Sequence, residues 1–167
     1  TSGKRALFFR ENGQCGSPFT GKELSETGRY QVDAETLAAI QEVFAADYCD
    51  DKTTEETIAE VYESTHYLCD THTAVAVNAY EQYLQETKDD TPTVVVSTAS
   101  PYKFTDSVLK AVSKHYDAAM DEFAKVQQLS KETGTEIPAP IAALESKTVR
   151  FQNVCTPQTM SDELLKL

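Results

Sequence analysis

Val94-Val95-Val96-Ser97-Thr98-Ala99-Ser100-Pro101-Tyr102-Lys103-Phe104 is the stretch on which the reading of the fold turns. Three β-branched apolar residues in succession predict a short strand buried on both faces. Ser97 and Thr98 stand where that strand should end, Ser100-Pro101 turns the chain, and a helical pattern follows. Open α/β sheets bind ligands at the carboxyl ends of their strands. The two hydroxyls therefore read either as part of a small-molecule site or as caps of the turn that follows, since Ser and Thr favour helix N-caps.

The 167 residues suit one domain or a part of a larger one. Acidic side chains outnumber basic ones 27 to 15, for a formal charge of −12, with no cluster of Lys or Arg. Such a surface repels a phosphate backbone, so no nucleic-acid partner is expected. Cys15, Cys49, Cys69 and Cys155 are too scattered for a zinc motif and read as free thiols of a reducing cytoplasm. No apolar run approaches the roughly 18 residues of a membrane span, so no membrane partner is expected either.

Residues 1–32 read as an N-terminal extension: an apolar Ala6-Leu7-Phe8-Phe9, then a connection broken by Asn12-Gly13, Gly16-Ser17-Pro18, Gly21 and Gly28. Helices dominate from residue 33. Asp33 is a good N-cap for a helix with Leu37, Ile40, Val43 and Phe44 on one stripe. Thr53 and Glu56 form a capping box for a second helix with Ile58, Val61, Tyr62 and Thr65 inward. A third carries Val77, Tyr80 and Leu84 and closes at Lys88-Asp89-Asp90-Thr91-Pro92. After the valine triplet come a helix with Val108, Leu109 and Val112, and another from Tyr116-Asp117 with Met120, Phe123 and Ala124 inward, ended by Gly134. Pro138 and Pro140 open a short turn or helix, and residues 156–167 read as a tail ending in a helical turn. A lone buried strand cannot satisfy its own backbone groups. Its partners must come from Leu7-Phe8-Phe9 and Val149-Arg150-Phe151, or from chain outside these residues.

The sequence contains no phosphate-binding or dinucleotide glycine motif and no nucleophile elbow. His66 and His72 flank Asp70 at a spacing that suits neither one helix face nor a zinc motif, so no metal site is expected. Asp70 or Thr73 is placed to cap a helix, leaving free amides that attract phosphate or carboxylate groups.

Two segments carry a family resemblance. Asp70-Thr71-His72-Thr73-Ala74-Val75-Ala76 resembles the D-P-H-T-A-V-G segment of threonine synthases, and Ser97-Thr98-Ala99-Ser100-Pro101-Tyr102-Lys103-Phe104 resembles their S-T-A-H-P-A-K-F segment. Their order and separation, the helix pair over Asp33–Thr65 and, more weakly, Lys147-Thr148-Val149-Arg150 also match, over about residues 25–155. Thr71 stands for the family's proline and Ser100 for its histidine, and residues 10–24 match nothing.

The resemblance implies an α/β fold, here the mostly helical C-terminal portion of a tryptophan synthase β-like, fold type II three-layer architecture with few strands in this span. It implies a lyase that uses pyridoxal 5'-phosphate to convert O-phosphohomoserine and water to threonine and phosphate. In that fold a Ser or Thr hydroxyl at a strand end meets the pyridine nitrogen, which assigns Thr98 to that role, Ser97 as second choice, and His72 and Thr73 to the border of the same cleft. The family's Schiff-base lysine lies in its N-terminal half, in a Phe-Lys-Asp context. Lys88-Asp89 imitates that context only at a helix end, and Lys103 belongs to the C-terminal motif. No catalytic residue is therefore assigned here, and the chain is expected to be an inactive C-terminal fragment whose partner is the N-terminal half. The alternative is a stand-alone acidic helical module that docks a protein partner through its apolar faces.

Overall fold

The computed structural model describes residues 4–9, 26–29 and 31–165. Most of the glycine-broken connection expected after Phe9, with Cys15, lies outside them. The chain divides into two units, Thr1–Glu136 and Ile137–Leu167.

The first unit opens with β1 (Lys4–Phe9), α1 (Ala34–Val43) and β2 (Phe44–Cys49). The strands pair antiparallel, from Lys4 opposite Cys49 to Phe9 opposite Phe44. Here the reading needs correction: Phe44 ends no helical stripe but begins a strand. Asp33 does cap α1, accepting from the Thr36 N–H at 2.8 Å. No residue of that helix is buried, however, and Leu37 is exposed. At Phe44 the backbone turns extended (φ −117°, ψ 136°), so the apolar spacing runs across a helix–strand boundary that periodicity alone does not mark.

Four helices complete this unit: α2 (Asp51–Thr65), α3 (Thr71–Thr87), α4 (Thr105–Val112) and α5 (Glu122–Thr133), with a 3₁₀ turn at Pro101–Lys103. The N-cap of α2 is Asp50, three residues before the expected capping box, and it accepts from Thr53 N–H at 2.7 Å. Glu56 pairs instead with Lys52 at 2.9 Å. Helix α5 starts later than expected because Asp121 caps it, accepting from the N–H groups of Phe123 and Ala124. Gly134 ends it at φ 69°, a left-handed position that a side chain would strain.

Helix α2 packs on α3 and α4, α4 packs on α5, and the sheet lies against α3. Ile58, Ala74, Val108, Leu109 and Leu129 are wholly buried at the centre. Each large aliphatic among them contributes about 1.5–3 kcal/mol by leaving water. On α3 the buried face is Thr71, Ala74, Val75 and Ala79, rather than the expected Val77, Tyr80 and Leu84. Lys125 is also buried, its ammonium held by Asp106 at 2.6 Å and Glu122 at 3.0 Å. The pairing replaces the hydration that burial removes.

The valine triplet is the largest departure. Residues 91–98 form neither helix nor strand, and Val94 and Val96 are 85% and 69% exposed. β1 pairs with β2 and not with this stretch. A strand exists by its neighbour's hydrogen bonds, and among the described residues no neighbour stands beside 94–96.

The second unit holds two short helices, α6 (Ala139–Ala142) and α7 (Met160–Leu164). Val149-Arg150-Phe151 lies between them without strand structure, and Val149, Phe151 and Val154 are exposed. Among the described residues helices dominate and strands are few, as expected for this span. No helix among them is long and apolar enough to cross a membrane.

Candidate functional site

Asp70 precedes α3 in an extended conformation (φ −82°, ψ 171°) and is completely buried. One carboxyl oxygen accepts from the His72 backbone N–H at 2.8 Å and lies 3.1 Å from His72 Nδ1. The other accepts the Thr73 hydroxyl. Asp70 thus caps the helix and orients two side chains of its first turn. Of the two readings of this helix end, a ligand's anion or simple capping, the geometry shows capping: the buried Asp70 carboxyl takes the position that the helix end offers a negative group.

From Thr73 the network leaves the helix. Thr73 Oγ1 and Ser97 Oγ are hydrogen-bonded at 3.1 Å, and the Tyr67 O–H donates to Ser97 Oγ at 3.0 Å. Thr73 has a single proton and the Asp70 carboxyl takes it, so Ser97 is the donor in the contact between the two hydroxyls. The order is Tyr67 to Ser97 to Thr73 to Asp70, running from exposed groups to a buried one.

Ser97 and Thr98 cap no helix. Ser100 caps the 3₁₀ turn, accepting from Tyr102 N–H at 3.3 Å, and α4 begins without a side-chain cap. Of the two readings of this hydroxyl pair, capping is the one the geometry removes. Ser97 is tied to the helical body, and Thr98, next in the chain, is exposed.

His72 lies beside the same cluster. Its ring centroid is 4.8 Å from that of Phe104, and its side chain is 54% exposed. Asp70 only accepts when ionised, so Nδ1 carries the proton and Nε2 is the nitrogen able to accept one. With Nδ1 turned to Asp70, the exposed Nε2 is the ring nitrogen left to face a ligand.

Neighbouring candidates drop out on chemistry. Burial first, and the Asp70 charge second, push the Cys69 thiol up to about 11, so it stays protonated and unreactive. Lys88 is the left-handed C-cap of α3 (φ 56°) and Lys103 is exposed. No group of three His, Cys, Asp or Glu side chains is arranged to hold a metal among the described residues. A surface depression of about 750 Å³ between Val112, His115, Gln128 and Lys131 contains none of Ser97, Thr98, His72 and Thr73. The convergence of polar groups at Asp70, not the size of that depression, locates the candidate site.

Sequence reasoning named Thr98, Ser97, His72 and Thr73 as candidates and offered Asp70 or Thr73 as the cap; Asp70 is the cap and bonds both Thr73 and His72. Sequence reasoning missed Tyr67, because its link to Ser97 spans 30 residues and has no local signature. The Asp-x-x-Thr spacing does announce the Asp70–Thr73 bond, as a hydroxyl variant of the capping box.

Comparison with known proteins follows from this geometry. The family model described as threonine synthase, C-terminal, matches residues 73–159, just over half of the chain. The chain is similar to threonine synthase of Saccharomyces cerevisiae, 32% identical over 115 residues, covering 66% of this chain and 22% of that protein. It is similar to threonine synthase of Schizosaccharomyces pombe, 36% identical over 96 residues, covering 57% and 19%. A crystal structure of threonine synthase from Brucella melitensis with pyridoxal phosphate bound aligns at TM-score 0.48 and 31% identity, over 59% of this chain and 21% of that one. The chain spans about a fifth of the length of the curated relatives it matches.

Proposed function

This chain belongs to the threonine synthase family, as part of its C-terminal region, and on that premise we propose that the whole protein converts O-phosphohomoserine and water to L-threonine and phosphate with pyridoxal 5'-phosphate as cofactor. Residues 33–155 are then the C-terminal region of a tryptophan synthase β-like, fold type II enzyme. The lysine that binds the cofactor lies on other chain, and the exposed valine stretch is a sheet strand whose neighbours lie there too. Three thiols, Cys49, Cys69 and Cys155, are free, which supports a threonine-biosynthetic enzyme of the cytoplasm.

The observation that carries the reading is the asymmetry of the hydroxyl pair: both residues are exposed, but the Ser97 hydroxyl is already hydrogen-bonded to Tyr67 and Thr73. This donor set fits the cofactor. A threonine hydroxyl can donate to a pyridine nitrogen, and the one buried carboxyl nearby is already committed to Thr73 and His72. Thr98 is the residue assigned to the ring nitrogen and Ser97 the second choice. A neutral hydroxyl leaves that nitrogen largely unprotonated, which an aspartate would not. His72, with its exposed ring, and Thr73 border the same cleft. When bound, the cofactor supplies an electron sink; the protein's part is to orient its ring and tune its nitrogen.

The test is phosphate release from O-phosphohomoserine by the full-length protein. Thr98→Val should lower kcat while the fold stays intact, since a hydroxyl-to-nitrogen bond contributes on the order of 1 kcal/mol. Unchanged kinetics would move the role to Ser97 or remove it. The present chain alone should be inactive and should regain activity on co-expression with the N-terminal half. A borohydride-reducible cofactor adduct near stoichiometry on this chain alone would contradict the proposal.

A further inference from the structure

We infer that Asp70 and Thr73 are positioning residues that set the Thr98 hydroxyl through Ser97; the inference rests on the cofactor reading above. Asp70 is fully buried and Thr73 is 4% exposed, so neither is available to a ligand in the open. Their side chains form one unbroken path to the exposed segment: Asp70 to Thr73 to Ser97. Ser97 and Thr98 are consecutive, so fixing the side chain of the first restricts where the second can point. The need is physical. Residues 93–98 form no strand among the described residues, so within this chain side-chain hydrogen bonds are what tie Ser97 to the helical body. Tyr67 adds a second tie to Ser97 from the turn between α2 and α3.

The anchor sits at a rigid point. Asp70 is held by the first turn of a 17-residue helix whose face, Thr71, Ala74, Val75 and Ala79, is buried. A buried carboxyl with its hydrogen bonds made has little freedom to move, which is what a positioning group requires.

The experiment uses the full-length protein loaded with pyridoxal 5'-phosphate, and reads kcat, KM and the visible absorption maximum of the bound cofactor. Thr73→Val removes the hydroxyl at nearly constant volume and Thr73→Ser keeps it. We expect kcat to fall about tenfold in Thr73→Val with KM within about twofold, and to recover in Thr73→Ser. The absorption maximum should move in Thr73→Val in the same direction as in Thr98→Val. Ser97→Ala, at an exposed position, should reproduce the loss, and the double variant should be no worse than either single one. Should Thr73→Val fail to fold, Ser97→Ala and the serine rescue decide the matter. If Thr98→Val moves the absorption band while Thr73→Val and Ser97→Ala leave it alone, the positioning path is wrong and the cofactor reading stands. If Thr98→Val leaves it alone as well, the cofactor reading fails and takes this inference with it.

Discussion

Residues 68–79 and residues 93–98 are both built from small apolar and hydroxyl side chains, yet the fold treats them oppositely. In the first stretch Leu68, Cys69, Asp70, Thr71, Thr73, Ala74, Val75 and Ala79 are buried. In the second the valines at 94 and 96 stand in solvent. A helix satisfies its backbone within itself, so burial of one face needs only a neighbouring surface, and α2 with the sheet supplies it. An extended segment owes every backbone bond to another strand. The contrast teaches that the first stretch is packed within this chain, whereas the second finds no strand neighbour among the described residues.

The comparison can be broken most directly in the helical body. Leu129→Ala, at a wholly buried position, should cost about 2–5 kcal/mol in urea denaturation. A loss under about 1 kcal/mol would mean that the body is not the tightly packed part.

A smaller effect is expected in acid. Asp106 is held below its ordinary value by hydrogen bonds from Lys125 and Tyr116, and Asp33 and Asp50 by the amides of the helices they cap. Groups lowered in the folded state contribute stability that is present above the unfolded value near 3.9 and lost as pH falls through the folded one. Melting temperature should therefore hold at mildly acidic pH and decline below about pH 4. Asp106→Asn should make that decline shallower, and an unchanged slope would dissociate Asp106 from Lys125.

Thr71→Pro should change stability the other way. The Thr71 hydroxyl is buried without a hydrogen-bond partner. The residue opens α3, where a backbone N–H has no helical acceptor, and Asp70 before it already has the extended conformation that precedes proline. A gain of about 1 kcal/mol is expected, from the loss of an orphaned polar group and of unfolded-state freedom. A loss of stability would show that the hydroxyl has a use. Smallest of all, Val94→Thr in the isolated chain should stay within about 0.5 kcal/mol, as an exposed substitution does. The same change in the full-length protein should cost more if a neighbouring strand covers it, and an equal effect in both would leave that strand without support.

Much of the helical part was legible in local signals. Asp33 and Gly134 bound helices as their chemistry predicts. The Asp50 cap went to a rival because Thr53 and Glu56 offered an equally good local pattern, and only the geometry chose Asp50. Strand β2 was hidden because Phe44, Ala46 and Tyr48 alternate with Ala45 and Asp47, a weak strand pattern joined directly to a helix. At the candidate site, Ser97, Thr98, His72 and Thr73 were named as candidates through the family resemblance of their two motifs. The link from Ser97 to Tyr67 and to Asp70 through Thr73 was not legible, because a hydrogen bond between residues far apart in sequence leaves no periodicity.

By itself the sequence determined that helices dominate, some of their ends such as Asp33 and Gly134, which hydroxyls and histidine to examine, and the family to which its motifs point, since capping and motif spacing are properties of neighbouring residues. Tertiary structure alone decided that Val94 and Val96 stand exposed, that the Asp70 cap is fully buried and bonds Thr73, and that Ser97 is hydrogen-bonded to Tyr67 and Thr73. Burial and long-range hydrogen bonds depend on which surfaces meet, and that is settled only when the whole chain has packed.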